Sequence, residues 1–149
     1  MELFKKVFLF FILSCFALLI NAQPQQPPIG NFTPKDYGDS HVPENYSICK
    51  DERGFIYAGN IGGLLQYDGH TWVFLPIVTG VRINAITYVG NQVIACGGPK
   101  MMGLMEPSKK GALQYRSLLN LIPDSLRNDQ IITIQKHGSK IFFQSSYRQ

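Results

Sequence analysis

The chain has 149 residues, of which 45% are hydrophobic and 16% are charged, and its formal net charge is +4. This composition excludes the charged, aromatic-poor disordered class and predicts a chain that can build a core. Outside the first residues its only adjacent basic pair is Lys109-Lys110, too little for the clustered basic stripe that binds a phosphate backbone. We therefore expect no nucleic-acid partner.

The N-terminus has the layout of a signal peptide. The basic pair Lys5-Lys6 precedes an apolar run of 14 residues, Val7–Ile20, and a polar stretch follows from Gln23. A helix needs roughly 20 apolar residues to cross a bilayer, so the run falls short of a stable span. We expect cleavage after Ala22 and a periplasmic or secreted mature chain. A retained N-terminal anchor is the alternative.

Residues 23–44 hold five of the nine prolines. Proline removes backbone donors and fixes φ, so this lead-in segment is interpreted as an extended, irregular linker.

From Asn45 onwards, short β-like runs alternate with turns rich in Gly, Asp and Asn, a pattern typical of an antiparallel meander. The strands predicted in the first unit are Tyr46–Cys49, Phe55–Ala58, Leu64–Tyr67 and Trp72–Leu75.

The pattern then returns twice. In the second unit we predict strands at Ile83–Ile86, Gln92–Cys96 and Gly103–Glu106, with a turn at Gly90-Asn91. In the third unit we predict Ile131–Ile134 and Lys140–Gln144. Between these two units, Ser117–Leu126 is expected to hold a helical turn that ends near Pro123.

The repeat predicts the fold class. Ile48 and Ile86 lie 38 positions apart, and a period near 40 residues with four short strands is typical of propeller blades. We predict an all-β chain, a partial β-propeller of about two and a half four-stranded antiparallel blades near 45–78, 81–118 and 130–149. Such a chain is too short to close a ring, so we expect a piece of a longer protein or a truncated product. A small sandwich, or an oligomer that completes the ring between chains, is the alternative.

The first repeat resembles a two-component regulator propeller repeat. The resemblance is carried by Asn45–Gly59 with Gly63–Gly69, and more weakly by Gly97-Gly98, Gly103–Pro107 and Gln130–Ser145. It implies the periplasmic sensor region of a bacterial membrane regulator, in which blades precede a β-sandwich, a transmembrane helix and a kinase or DNA-binding output. It thus implies a full-length parent anchored in the inner membrane. The repeat motif marks architecture, so no binding residue is carried over.

The sequence offers few candidates for catalysis. His41, His70 and His137 fall in the lead-in segment or in turns and are expected to face solvent. Asp51 with Glu52, and Asp68, occupy turn positions where a short acidic side chain bonds nearby backbone. We predict no catalytic residue, no metal site and no cofactor.

Three further motifs have plain structural interpretations. Gly97–Lys100 lacks the spacing of a phosphate-binding loop, and its proline removes a backbone donor. Cys49 and Cys96 are interpreted as two buried small apolar residues, with a disulfide as the alternative. Four aromatic residues are interpreted as packing between blades, with stacking on a sugar ring as the alternative; they are Tyr57, Tyr67, Trp72 and Tyr88.

Together these features favour a binding module, the N-terminal part of an extracytoplasmic sensor whose small ligand the resemblance suggests is carbohydrate-derived. The alternatives are the N-terminal part of a secreted propeller lyase or hydrolase with its active site in later blades, and a structural or adhesive fragment. Open sheet edges predict aggregation or self-association of residues 23–149.

Overall fold

The computed structural model describes residues 1–20, 29–38, 42–78 and 80–146. It divides into two compact units, Met1–Asn31 and Phe32–Gln149. The first unit contains helix α1 (Glu2–Ile20). Among the described residues, no helix has the length and apolar character needed to cross a membrane.

The second unit consists mainly of antiparallel β-sheet. A first sheet of four strands has the order β1-β2-β3-β4, a second has the order β5-β6-β7-β8, and a third has two strands, β9 and β10. The predicted all-β class with antiparallel four-stranded sheets is thus confirmed, and none of these three sheets closes on itself. The strands are β1 (Ser47–Lys50), β2 (Ile56–Gly59), β3 (Gly63–Tyr67), β4 (Trp72–Pro76), β5 (Ala85–Gly90), β6 (Val93–Gly98), β7 (Met101–Pro107), β8 (Leu113–Ser117), β9 (Ile131–His137) and β10 (Lys140–Ser145).

Short turns join these strands. Between β5 and β6, Asn91 and Gln92 both have positive φ, at 52° and 62°, which matches the right-handed twist of a hairpin. A register shift between Tyr88 and Gly90 leads into this turn. The turn therefore lies one residue beyond the predicted Gly90-Asn91.

The second sheet is covered on both faces. Its rear face, turned towards the first sheet, carries the buried Ile86, Ile94, Cys96 and Met105, which pack with Tyr57 and Leu64 of the first sheet. Its forward face carries Ala85 and Ala95, which pack with Ile131 and Ile134 of the third sheet. Side chains alternate between the faces of a strand, so one sheet contributes to two apolar layers. The three sheets are stacked in chain order.

Strand pairing repeats with a step of 38 positions. Ile48 lies opposite Ala58 in the first sheet, and Ile86 lies opposite Cys96 in the second. Gly59 likewise lies opposite Leu64, and Gly97 opposite Met102. The first three strands of the two sheets therefore share one register.

The turn between the second and third strands of each sheet contacts the chain that opens the next sheet. Ile61 forms an isolated antiparallel bridge with Arg82, and Pro99 forms one with Gln130. Positions 61 and 99 are again 38 apart, so the connection between sheets repeats along with the sheets.

The Gly97-Gly98 pair allows this close approach. A Cβ at Gly97 would lie 2.7 Å from the Ile131 Cβ, and a Cβ at Gly98 would run into the backbone oxygen of Arg82. Gly97 therefore serves the packing of the second sheet on the third, and Gly98 serves the close approach of β6 to the chain that opens its own sheet.

Part of the lead-in segment is folded, unlike the irregular linker expected there. Pro34–Tyr37 forms a single helical turn, α2, and the Thr33 N–H donates to the Asp36 Oδ2 at 2.6 Å. Tyr37 is only 8% exposed and packs against Ala58 and Leu65. These two residues lie on the rear face of the first sheet, the face turned away from the second sheet. The buried ring of Tyr37 holds this part of the segment on the first sheet. The proline content of the segment did not predict that contact.

The insert after β8 contains two short 3₁₀ turns, Leu119–Leu121 and Asp124–Leu126, on either side of Pro123. The predicted helical turn is present, but the helical structure resumes after the proline instead of ending there. Pro123 precedes the second turn, a position where its fixed φ and missing N–H are tolerated.

Candidate functional site

The first candidate site is a cavity of about 510 Å³ on the rear face of the first sheet, named here the aromatic cavity. Its floor is formed by Ile48, Ala58 and Leu65, from β1, β2 and β3. The lead-in segment and β4 contribute aromatic walls. Every described residue that lines it is uncharged, and its volume is typical of small-molecule sites.

Four aromatic rings meet at one side of this cavity. Tyr67 and Trp72 are stacked, with ring centroids 4.8 Å apart and an interplanar angle of 27°. Phe32 and Tyr37 each meet Trp72 edge-on, at 5.3 and 6.1 Å. Such pairs are favourable beyond their buried area, so the cluster holds the lead-in segment against the first sheet.

One polar atom of the cluster has no hydrogen-bond partner among the described residues. The Trp72 Nε1 is buried without a hydrogen bond to any of them, whereas the Tyr67 hydroxyl donates to the Gly69 carbonyl at 2.8 Å. An unsatisfied buried donor costs about 1–3 kcal/mol.

The four aromatic residues singled out in the sequence analysis lie at two different places in the structure. Tyr67 and Trp72 lie together at the cavity, while Tyr57 is fully buried between the first two sheets. Tyr88 packs against that same core, and its hydroxyl accepts from the Gln92 N–H at 3.4 Å. Core packing is thus the role of Tyr57 and Tyr88. Phe32, which the sequence did not single out, completes the cavity.

A network of hydrogen bonds is centred on Asp51, in the turn between β1 and β2, and is named here the Asp51 centre. The Asp51 Oδ1 accepts from the Arg53 and Phe55 backbone N–H groups at 2.9 and 3.0 Å. Its Oδ2 accepts from Arg53 Nε and Nη2 at 2.9 and 2.7 Å and from the Tyr57 hydroxyl at 3.2 Å. Arg53 Nη1 continues to Gln92 Oε1 at 2.7 Å, which links the first sheet to a turn of the second.

The charges of this centre follow from its contacts. Burial opposes the charged carboxylate of Asp51, but the hydrogen bonds from Arg53 and Phe55 outweigh it, so the pKa lies below its ordinary value. Burial and the Asp51 charge raise the pKa of Tyr57 to about 12. Its donors and acceptors are engaged with one another, so this centre stabilises the fold.

The turn interpretation is confirmed for both aspartates. Asp51 bonds backbone as described, and the Asp68 Oδ1 accepts from the His70 and Thr71 N–H groups at 2.8 and 2.7 Å. Asp51 differs in being only 5% exposed, which its turn position did not predict.

A second cavity, of about 580 Å³, lies between the 3₁₀ insert and β10. Met102, Ile131 and Phe143 line it, and the Ser145 hydroxyl donates to the Asp129 Oδ2 at 3.0 Å at its rim. It adjoins the outer edge of the third sheet. Its described lining includes the charged residue Asp129, whereas that of the aromatic cavity includes no charged residue.

His70 and His137 are exposed, as expected, and His41 lies outside the described residues. Within the described part of the chain, no group of three His, Cys, Asp or Glu side chains is placed to hold a metal ion.

Cys49 and Cys96 are free thiols, and they face the same apolar layer from the first and second sheets. Cys96 is fully buried, but Cys49 is only partly buried, so the expectation of two buried residues is correct for Cys96 alone. Cys49 lies in an edge strand of its sheet, where one side lacks a neighbour.

No protein-family model matches the chain, and a search of curated proteins found no match. The family resemblance therefore depends on the repeat motifs themselves, and the aromatic cavity is argued from its own geometry.

Proposed function

We propose that this chain is the ligand-binding part of an extracytoplasmic sensor of a bacterial signal-transduction regulator, built on consecutive propeller blades. The proposed ligand is a small, neutral, carbohydrate-derived molecule, and the proposed activity is binding. The observation that carries the proposal is the uncharged aromatic cavity at Trp72 on a stacked β-repeat.

The propeller part of the proposal is supported by the 38-position step. The first two sheets share their strand register at this step, and each of them joins the next sheet through a bridge and face-to-face packing. Radially repeated four-stranded sheets are the defining feature of propellers, and the repeat motif at Asn45–Gly59 resembles one family of them.

The binding part is supported by the chemistry of the cavity. Aromatic faces combine apolar area with a polar edge and suit the C–H faces of sugar rings. The Trp72 Nε1, which has no partner among the described residues, offers a hydrogen bond to a hydroxyl or ring oxygen. The described lining residues carry no charge, which favours a neutral ligand.

Export is supported by the sequence pattern, in which Lys5-Lys6 precedes the apolar run Val7–Ile20. The full chain should therefore be expressed in a Gram-negative host, which is then fractionated. Recovery from the periplasm with Gln23 as the first residue is expected. Recovery in the cytoplasm with Met1 intact would contradict export.

The recovered protein is then titrated by calorimetry with maltose, cellobiose and N,N′-diacetylchitobiose. We expect one of these neutral disaccharides to bind and the Trp72→Ala variant to lose at least tenfold in affinity, about 1.4 kcal/mol. Val73→Ala is the matched control, because Val73 neighbours Trp72 but projects from the opposite face of β4.

Circular dichroism establishes that both variants fold. Equal binding by the Trp72→Ala and Val73→Ala variants would exclude the aromatic cavity, and no binding by the wild-type protein would contradict the ligand class. Turnover of a disaccharide during the titration would favour the secreted enzyme instead.

A further inference from the structure

The chain that precedes β1 is attached to the first sheet in two different ways. From Val42 onwards it is held by hydrogen bonds, because the fully buried Asn60 donates its Nδ2 to the carbonyl oxygens of Val42 and Glu44 at 2.9 and 3.0 Å. The Tyr46 N–H then donates to the Gly59 carbonyl at 2.9 Å. This part of the chain is therefore fixed to the backbone of the sheet.

The earlier part, residues 32–37, is held by side-chain packing. Its hydrogen bonds close its own helical turn, since the Thr33 N–H donates to the Asp36 Oδ2 at 2.6 Å and the Asp36 N–H donates to the Thr33 carbonyl at 2.8 Å. Among the described residues, no hydrogen bond joins 32–37 to a strand. The contacts with the sheet are made by the rings of Phe32 and Tyr37.

Gly38 ends this helical turn and precedes the hydrogen-bonded part. Its φ and ψ are 114° and 119°, a combination that residues with a side chain rarely adopt. Segments open locally at low cost where few contacts hold them. The turn of residues 32–37 can therefore leave the sheet as a unit, because no hydrogen bond to a described strand has to break.

We propose that residues 32–37, named here the aromatic flap, open and close over the aromatic cavity while the three sheets stay folded. Phe32 and Tyr37 line that cavity together with strand residues such as Ile48 and Leu65, so a molecule in the cavity lies between the flap and the sheet. Closure holds the molecule in place, and opening lets it enter and leave. That the molecule is a sugar rests on the proposed function, whereas the motion of the flap does not.

Trp72 reports the position of the flap. It is the only tryptophan in the chain, and its ring contacts Phe32 and Tyr37 of the flap as well as its cross-strand partner Tyr67. Opening removes the first two rings and leaves the third, because Tyr67 and Trp72 belong to paired strands. Water then reaches the indole, and its emission moves to longer wavelength.

The test is urea denaturation of the purified chain, followed in parallel by Trp72 fluorescence, excited beyond the tyrosine absorption, and by circular dichroism of the strands. We expect the emission of Trp72 to move to longer wavelength at a lower urea concentration than the one that unfolds the strands. Coincident transitions would overturn the flap, because residues 32–37 would then belong to the cooperative unit formed by the sheets.

Two variants in the same turn sharpen the result. Tyr37→Ala should show the long-wavelength emission before urea is added. Its circular dichroism midpoint should equal that of the wild type, because the flap is already open when the sheets unfold. Lys35→Ala is the matched control, since Lys35 is exposed in the same turn, and it should keep both transitions. Wild-type emission from Tyr37→Ala, or a lowered midpoint of its strands, would contradict a separately opening flap.

Adding a sugar separates the flap from the proposed ligand. Whichever of maltose, cellobiose and N,N′-diacetylchitobiose binds should move the first transition to higher urea. In stopped-flow fluorescence, Tyr37→Ala should release that sugar about tenfold faster than Lys35→Ala does. Equal release rates would overturn the role of the flap in retaining a ligand. If none of the three binds, the proposed ligand is wrong, and the order of the two urea transitions alone decides whether the flap exists.

Discussion

Replacing Asp51 by alanine should destabilise the protein more than replacing the exposed turn residue Asp68. The substitution removes the acceptor for five hydrogen bonds and leaves the Phe55 N–H and the Tyr57 hydroxyl without it. It also leaves Arg53 without its carboxylate partner, 2.7 Å away.

The magnitude follows from burial. Breaking a fully buried ion pair costs about 3–5 kcal/mol, but the Arg53 side chain is 38% exposed and can be solvated in the variant. We therefore expect a loss of about 2–3 kcal/mol, most of it from the stranded buried donors. At about 4 °C per kcal/mol for a unit of this size, Tm should fall by about 10 °C.

The assay is urea denaturation followed by circular dichroism, with Asp68→Ala as the control. Asp68 also bonds two backbone N–H groups in a turn, but it is exposed, so its replacement should cost clearly less. Equal losses for the two variants, or an Asp51→Ala protein within 0.5 kcal/mol of the wild type, would refute the role assigned to the Asp51 centre.

Three further predictions concern pH, packing and thiol reactivity. Because the folded pKa of Asp51 lies below its unfolded value, its contribution to stability is present above about pH 4 and is lost as the pH falls further; acid titration of the unfolding free energy should show a shallower fall for Asp51→Ala. Gly97→Val should destabilise by about 1–3 kcal/mol, measured by urea denaturation, because its side chain would collide with Ile131; an unchanged midpoint would contradict the packing of the third sheet. Burial raises the pKa of Cys49 to about 12 and raises that of Cys96 further, so peptide mapping should find neither alkylated by iodoacetamide at pH 8 before unfolding, and rapid labelling of Cys96 in the native state would contradict its burial.

Local pattern was sufficient to predict most strands of this protein. Alternating apolar residues between Gly and Asp turns predicted nine of the strands to within a few residues. The strand β8 (Leu113–Ser117) was not assigned, because only Leu113 and Tyr115 supply apolar side chains and the others are polar. Its place is decided by pairing with β7, which is a tertiary effect.

The candidate site was harder to predict from the sequence than the strands were. Tyr67 and Trp72 were singled out as aromatic residues, but the wall that completes the cavity comes from Phe32 and Tyr37, in a segment whose prolines indicated a linker. Their role depends on contacts with strands 21 to 40 positions away. The turn position of Asp51 was evident from the sequence, but its burial was not.

The most direct test of the stacked arrangement is hydrogen–deuterium exchange of the full chain, read by mass spectrometry. If the second sheet is enclosed between the other two, peptides covering β6 and β7, its central strands, should exchange most slowly, and those covering β1 and β10 should exchange much faster. Equal protection in all three sheets, or faster exchange in β6 and β7 than in β9 and β10, would contradict the stack on which this account depends.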